Sequence, residues 1–236
     1  MTVGAVAERC LVRVPDLPRW VETRDLLTRA TSVVVENPAG GGFVVWDENA
    51  GLGAVVGEPD PHAVARAAAR VAELLAFADN VDRVRSILPG FRAERATIFA
   101  APEHAPPPAP HPCRELDASD IAALHHVPAE LRSELTDAAD DGASLVAAFD
   151  GARPVAFAYV ASETESLWDV SIDTIESHRR KGYAAAAAVH LMRTMKERGK
   201  SAVWGAAESN RASARLARRL GFVEVDQLWV LTRRDA

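Results

Sequence analysis

The chain has 236 residues, 48% of them hydrophobic, room enough for one large or two modest domains with a full core. Its formal net charge of -6 argues against a general polyanion binder, nucleic acid included, but leaves room for a local basic pocket. Arg, Glu or His interrupts every alanine-rich stretch before membrane-spanning length, and Cys10 and Cys113 stand far apart outside any Cys-x-x-Cys pattern, so neither membrane span, disulfide scaffold nor zinc site is implied.

The start, MTVGAVAERCLVRVPD, lacks a basic segment followed by a sustained apolar one, which points to a cytoplasmic protein. DLPRWVETRDLLTRA has helical periodicity. SVVVE, GFVVWDE and LGAVVGE are short β-branched runs parted by NPAGGG and NAG, and read as consecutive hairpin strands. Gly40, Gly41 and Gly42 lie between two strands with no following helix or lysine, which makes them a turn, not a phosphate loop. Asp60-Pro61 is expected to open a helix running to about Phe77, Asn80 a shorter helix, and ERATIFAA a strand.

APEHAPPPAPHPC follows, too rich in proline for helix or interior strand. It reads as a linker over residues 101–112 between a domain of residues 1–100 and one of residues 113–236. Extended in the polyproline manner, residues 105–112 span roughly 25 Å at about 3.1 Å per residue. His104, His111 and Cys113 are poorly placed to bend around one metal ion, and no metal is expected. In the second domain ASDIAALHHVPAELRSELTDA gives one or two helices, SLVAAFDGARPVAFAYVAS a hairpin, and SLWDVSIDT a third strand. A helix from about Gly182 to Arg198, the strand KSAVWGAAE, the helix NRASARLARRLG closed by Gly221, and a last strand or strand pair in FVEVDQLWVLTRR complete it. The fold class is a mixed α/β sheet flanked by helices. The first domain repeats the order of elements, as a smaller degenerate copy or an unrelated α/β domain.

The richest stretch is WDVSIDTIESHRRKGYAAAAAVHLMRTMKERG. A helix starting just beyond a strand leaves its first N–H groups unpaired and aims its positive dipole end at the connecting loop, which makes an anion site. Gly182 permits a backbone conformation and an approach that a side chain would prevent. Arg179, Arg180 and Lys181 add positive charge, and Ala184 to Ala188 leave space for a long ligand. A basic turn before an alanine-rich packing helix is the reading that needs no ligand.

RRKGYA, Arg179 to Ala184, resembles the Arg/Gln-x-x-Gly-x-Gly/Ala pyrophosphate loop of the GNAT superfamily of N-acetyltransferases, and NRASARLARRLGF, Asn210 to Phe222, resembles its second signature. The likeness covers residues from about 113 to 236 and is greatest to bacterial small-molecule acetyltransferases. It implies a mostly antiparallel GNAT-type sheet, with acetyl-CoA as co-substrate and a small-molecule amine as acceptor, in a monomer or homodimer. It further implies that Arg179, Arg180, Lys181, Gly182, Tyr183 and Ala184 form the pyrophosphate loop. Ile172, Asp173 and Thr174 would pair through their backbone with the pantetheine arm, and Asn210 and Ser213 would touch it from the next helix. Asn210 also suits a helix N-cap. Where many members carry the tyrosine that protonates the departing thiolate, this chain has Ala217, which leaves water or an inward-turned Tyr183 for the role.

An amine must be neutral to attack a thioester, so a nearby carboxylate is needed as base. Asp169, Ser171 and Asp173 share one side of their strand, Trp168, Val170 and Ile172 the other. If the apolar set claims the helix-covered face, Asp169 faces the other side, with Glu165 the next candidate, and Glu208 and Trp204 as substrate-side residues. The alternatives to a small-molecule acetyltransferase are a noncatalytic acyl-CoA-binding or sensing protein, and an enzyme acting on a protein amino terminus or lysine. Where a loop of this kind would fall in the first domain the chain reads GEPDPHA, acidic and proline-blocked, which repels a diphosphate.

Overall fold

A computed structural model describes residues 3–104, 106–107 and 110–234. In chain order the elements are α1 (Val3–Leu11), a 3-10 turn (Pro18–Trp20), α2 (Val21–Thr28), β1 (Val33–Glu36), β2 (Gly42–Asp47), β3 (Leu52–Gly57), α3 (Pro61–Ala68), β4 (Glu73–Ala76), α4 (Val81–Ile87) and β5 (Phe91–Ala100). There follow β6 (Cys113–Glu115), α5 (Ala118–Ala122), α6 (Ala129–Asp140), β7 (Leu145–Asp150), β8 (Arg153–Glu163), β9 (Leu167–Thr174), a 3-10 turn (Glu176–His178), α7 (Tyr183–Glu197), β10 (Ser201–Ala207), α8 (Arg211–Arg219) and β11 (Val223–Arg233).

The chain divides into two compact units whose boundaries differ from the expected break at residues 101–112. The first comprises Met1–Ile98, Gly205–Ala214 and Glu224–Ala236, the second Phe99–Trp204 and Arg215–Val223. The stretch 113–236 is therefore not self-contained. Its last strand, β11, pairs antiparallel with β4, Trp229 opposite Ala76 and Leu231 opposite Leu74.

In the first unit the strands run β1-β2-β3-β4-β11. The pairs are antiparallel except β3 with β4, which are parallel over Leu52–Ala54 and Glu73–Leu75. α3 makes the crossover between them, as a parallel pair requires. Val44, Trp46, Val55, Val64, Leu74, Val84 and Leu231 form its core. Gly40 and Gly41 lie in a turn, as expected, with Gly40 N–H donating to the Asn37 carbonyl at 2.9 Å, while Gly42 already opens β2.

One expectation fails here. The helix opened by Asp60-Pro61 ends at Ala68, and ELLA within the supposed helix is strand β4. Leu74, Leu75 and Ala76 are buried between β3 and β11, and this pairing overrides the helical preference of alanine and leucine. α1 and the short β6 are further elements that the sequence pattern did not single out.

In the second unit the order is β10-β9-β8-β7-β6, antiparallel except for β9 with β10. α7 supplies the crossover and packs on β7, β8 and β9. Pro128 breaks the preceding helical stretch into α5 and α6. Ile121 of α5, Leu135 of α6 and Leu124 between them pack with Leu145, Phe157 and Tyr159. Antiparallel strands, a helical crossover, a short parallel pairing and a short helix thus recur in both units, as expected from the repeated order of elements.

Candidate functional site

β9 is held differently on its two edges. Against β8 it is registered from Trp168, opposite Glu163, to Thr174, opposite Ala156, with a bulge between Val160 and Ser162. Against β10 the register covers Leu167 with Ser201, Trp168 with Ala202 and Asp169 with Val203. β9 then runs on for the residues Val170 to Thr174, whose edge toward β10 presents backbone amides and carbonyls beyond that register. Ile172, Asp173 and Thr174, half-buried, lie on this stretch.

The strand leads into the basic loop. Arg179 Nε donates to the Thr174 carbonyl at 3.2 Å and closes the turn. Arg180 has φ 64° and Gly182 φ 93°, so two residues in three adopt the left-handed conformation, by which glycine-containing loops turn successive N–H groups to one side. α7 starts at Tyr183, its first bond running from Ala186 N–H to the Gly182 carbonyl at 3.0 Å, and no side chain caps it. Its first amides and the exposed Arg179, Arg180 and Lys181 surround one helix N-terminus.

Glycine at 182 is required for a reason beyond ligand approach. Besides its positive φ, a Cβ there would lie 3.3 Å from His111 Nε2. Tyr183 is buried with its ring 4.0 Å from that of His111 and edge-on to His178 at 5.9 Å. Burial and a hydrogen bond to the Asp150 carboxylate push its phenol up, and its ring is packed against the two imidazoles. The alanine run is mostly core as well: Ala186, Ala187 and Ala188 are buried, leaving Ala184 and Ala185 at the surface of the first turn.

The other face of β9 differs from expectation. Asp169, Ser171 and Asp173 do share it, but α5 and α6 cover part of that face too, through Phe157 opposite Asp173 and Tyr159 opposite Ser171. The Tyr159 hydroxyl donates to Glu134 on α6. Burial, then the hydrogen bond to Glu134, holds the Tyr159 phenol well above its usual range. Burial also pushes the Asp173 carboxyl up to about 6, the Glu134 charge adding to this and Arg179 opposing it. Asp169 is half-buried where the register with β10 ends, opposite Val203, and beside the bulge in the pairing with β8, opposite Ser162. Glu165 is exposed in the turn before β9, roughly 30 Å of strand from Thr174, so it does not join the loop.

The remaining candidates fall elsewhere. Trp204, 1% exposed and edge-on to Phe222 at 5.3 Å, is a core residue and not a substrate contact. Glu208, Asn210 and Ser213 belong to the first unit. Glu208 accepts from Arg95 Nε at 2.7 Å, so its charge is already matched and it is not a ready anchor for an amine. Asn210 caps α8 by accepting from Ser213 N–H at 3.1 Å, as the sequence suggested. Ala217 is fully buried. Burial pushes both thiols, Cys10 and Cys113, up to about 11, the reverse of a nucleophilic cysteine.

The first unit has the equivalent positions closed. Asp60 caps α3 with its own carboxylate, accepting from His62 N–H at 2.9 Å. Past the β3–β4 register, the side chain of Asn80, 3% exposed, accepts from Phe77 N–H at 2.9 Å and donates to the carbonyls of Val55 at 2.9 Å and Gly57 at 3.3 Å. The β3 edge corresponding to the one presented by β9 is thus satisfied by protein.

The second unit thus joins a strand edge running past its parallel partner to a left-handed, cationic loop at a helix N-terminus, a combination suited to an extended anionic ligand. Residues 142–231 match the model of the GNAT acetyltransferase family. The C-terminal part of the chain carries a GNAT acetyltransferase domain, and members of that family typically use acyl-CoA. A search of curated proteins finds no match. Among solved structures, a GCN5-related N-acetyltransferase-like protein from Streptococcus suis is similar, with 15% identity, a TM-score of 0.74 and coverage of 98% of this chain and 99% of that one. A GNAT-family acetyltransferase from Colwellia psychrerythraea aligns at 10% identity and TM-score 0.63 over 100% of this chain and 98% of its own. A tandem GNAT protein from the clavulanic acid biosynthesis pathway gives 13% identity and TM-score 0.60 over 97% and 94%. At these identities the likeness is one of fold, and it extends over both units. Among the described residues no helix is long and apolar enough to cross a membrane, and no cluster of His, Cys, Asp and Glu could hold a metal.

Proposed function

We propose that the chain is an acetyl-CoA-dependent N-acetyltransferase that acylates a primary amine of a small molecule. The observation that carries this reading is the edge of β9 beyond Asp169, open to a pantetheine arm, leading into the loop of Arg180 and Gly182 and the uncapped α7. Backbone groups of Ile172 to Thr174 would pair with the amides of the arm. The loop N–H groups with Arg179, Arg180 and Lys181 would hold the diphosphate.

The amine nitrogen attacks the thioester carbonyl, the C–N bond forms, the C–S bond breaks and the thiolate leaves. Asp169, at the parting of the strands, accepts the amine proton. Ala217 offers no proton and Tyr183 is bound to Asp150, so water protonates the thiolate. Asp173, titrating near 6, is the second carboxylate on that face.

The fully buried Ala217 also favours a second reading, an acyl-CoA-binding protein without turnover. Thiol release from acetyl-CoA across a panel of amines separates the two. Release stimulated by one class of small amine supports catalysis; binding of acetyl-CoA without stimulated release by any amine supports the second. In an active enzyme, Asp169→Asn is expected to lower kcat/KM by about 10²-fold near neutral pH, with the defect shrinking as pH rises and free amine accumulates. Wild-type activity of that variant across the range removes Asp169 from the role.

A further inference from the structure

The segment between β5 and β6 does more than connect. Glu103 O accepts from Lys196 Nζ at 2.9 Å, Pro106 O accepts from Arg193 at 3.1 Å, and His111 meets the loop at Lys181 and Tyr183. These contacts climb α7 from its last turns to its first while the segment advances along the chain. Lys196 to Tyr183 is roughly 20 Å of helix, so Glu103, Pro106 and His111 meet α7 and its loop at points spread over most of the length of the helix.

Its end falls on the loop. His111 Nε2 lies 2.9 Å from the Lys181 carbonyl, and because a carbonyl can only accept, Nε2 carries the hydrogen. The imidazole stacks on Tyr183 at 4.0 Å and occupies the space where a Cβ on Gly182 would point. The loop needs such support: Arg180 is the one described non-glycine residue with positive φ, and unfavourable conformations persist where surrounding structure fixes them.

We propose that His111 is a positioning residue for the diphosphate, clamping the Lys181–Tyr183 segment from the proline-rich strap so that its N–H groups are set before acyl-CoA arrives. This rests on the acyl-CoA reading above and adds to it a determinant outside the strand and helix that form the site.

The test compares wild type, His111→Ala and His111→Gln for acetyl-CoA affinity by calorimetry, and for turnover with S-acetylpantetheine, which lacks the diphosphate. Loss of one hydrogen bond and one ring contact is expected to weaken acetyl-CoA binding about tenfold. Turnover of the truncated donor should stay near wild type, and His111→Gln, which can still donate to Lys181 O, should recover part of the loss. Amide hydrogen exchange on the ligand-free protein gives an independent reading: Lys181 to Ala184 should exchange faster in His111→Ala while the last turns of α7 keep their protection. Unchanged or tighter acetyl-CoA binding, equal losses with both donors, or unchanged loop exchange overturns the proposal. A wild type that binds no acetyl-CoA yet shows the loop effect on exchange overturns the acyl-CoA reading and leaves the clamp standing as a structural one.

Discussion

At the scale of single residues, Asp173 shows how a site is tuned by groups distant in sequence. Its carboxyl is raised from 3.8 to about 6 by burial and by Glu134. The folded state therefore holds this proton more tightly than the unfolded chain. The resulting stabilisation is complete below about pH 4 and is lost as pH rises through about 6. Asp173→Asn removes the cost of a buried charge, so its Tm should exceed that of wild type at pH 7 to 8, with the gap closing toward pH 4. A thermal-melt series with no pH-dependent gap contradicts the assignment. That Asp173 shares a face with Asp169 was legible from strand alternation. Its environment was not, because Glu134 and Tyr159 reach it from α6 and β8 and no local pattern announces them.

At the scale of elements, signals written into adjacent residues were read well, and those depending on distant pairing were not. Proline at the first turn and aspartate before it marked the start of α3, Gly182 the start of α7, and Gly151, at φ 60°, the hairpin between β7 and β8. β4 was hidden because VAELLAF satisfies helical spacing as well as strand burial, and pairing with β3 and β11 decides between them. Asn80 looked like a cap and is more: its side chain binds three backbone groups across β3 and β4. Asn80→Ala strands those groups without partners in a buried place and should cost about 2 to 4 kcal/mol of stability by denaturant unfolding. The folded fraction should bind acetyl-CoA as wild type does. A cost near that of an exposed cap, about 1 kcal/mol, would remove Asn80 from its place as the plug of the first unit.

At the scale of the whole molecule, a repeated order of elements was legible in the sequence, as was a single basic, glycine-containing loop at a helix start. The sequence did not disclose that the first unit takes back residues 205–214 and 224–236, since the pairing of β11 with β4 links positions some 150 residues apart, such as Trp229 and Ala76. The two units carry the same succession of strands and crossover helix but opposite fittings. Asp60 and Asn80 close the first, whereas in the second Gly182 opens α7 with no side-chain cap and β9 runs on past its register with β10, the features on which the proposed acyl-CoA site rests. A calorimetric titration of the full chain with acetyl-CoA, repeated on Gly182→Ala, tests this division directly. One equivalent per chain is expected, with severely weakened binding in the variant, whose new Cβ meets both an unfavourable φ of 93° and His111 at 3.3 Å. Two equivalents, none, or an affinity untouched by the substitution would contradict it.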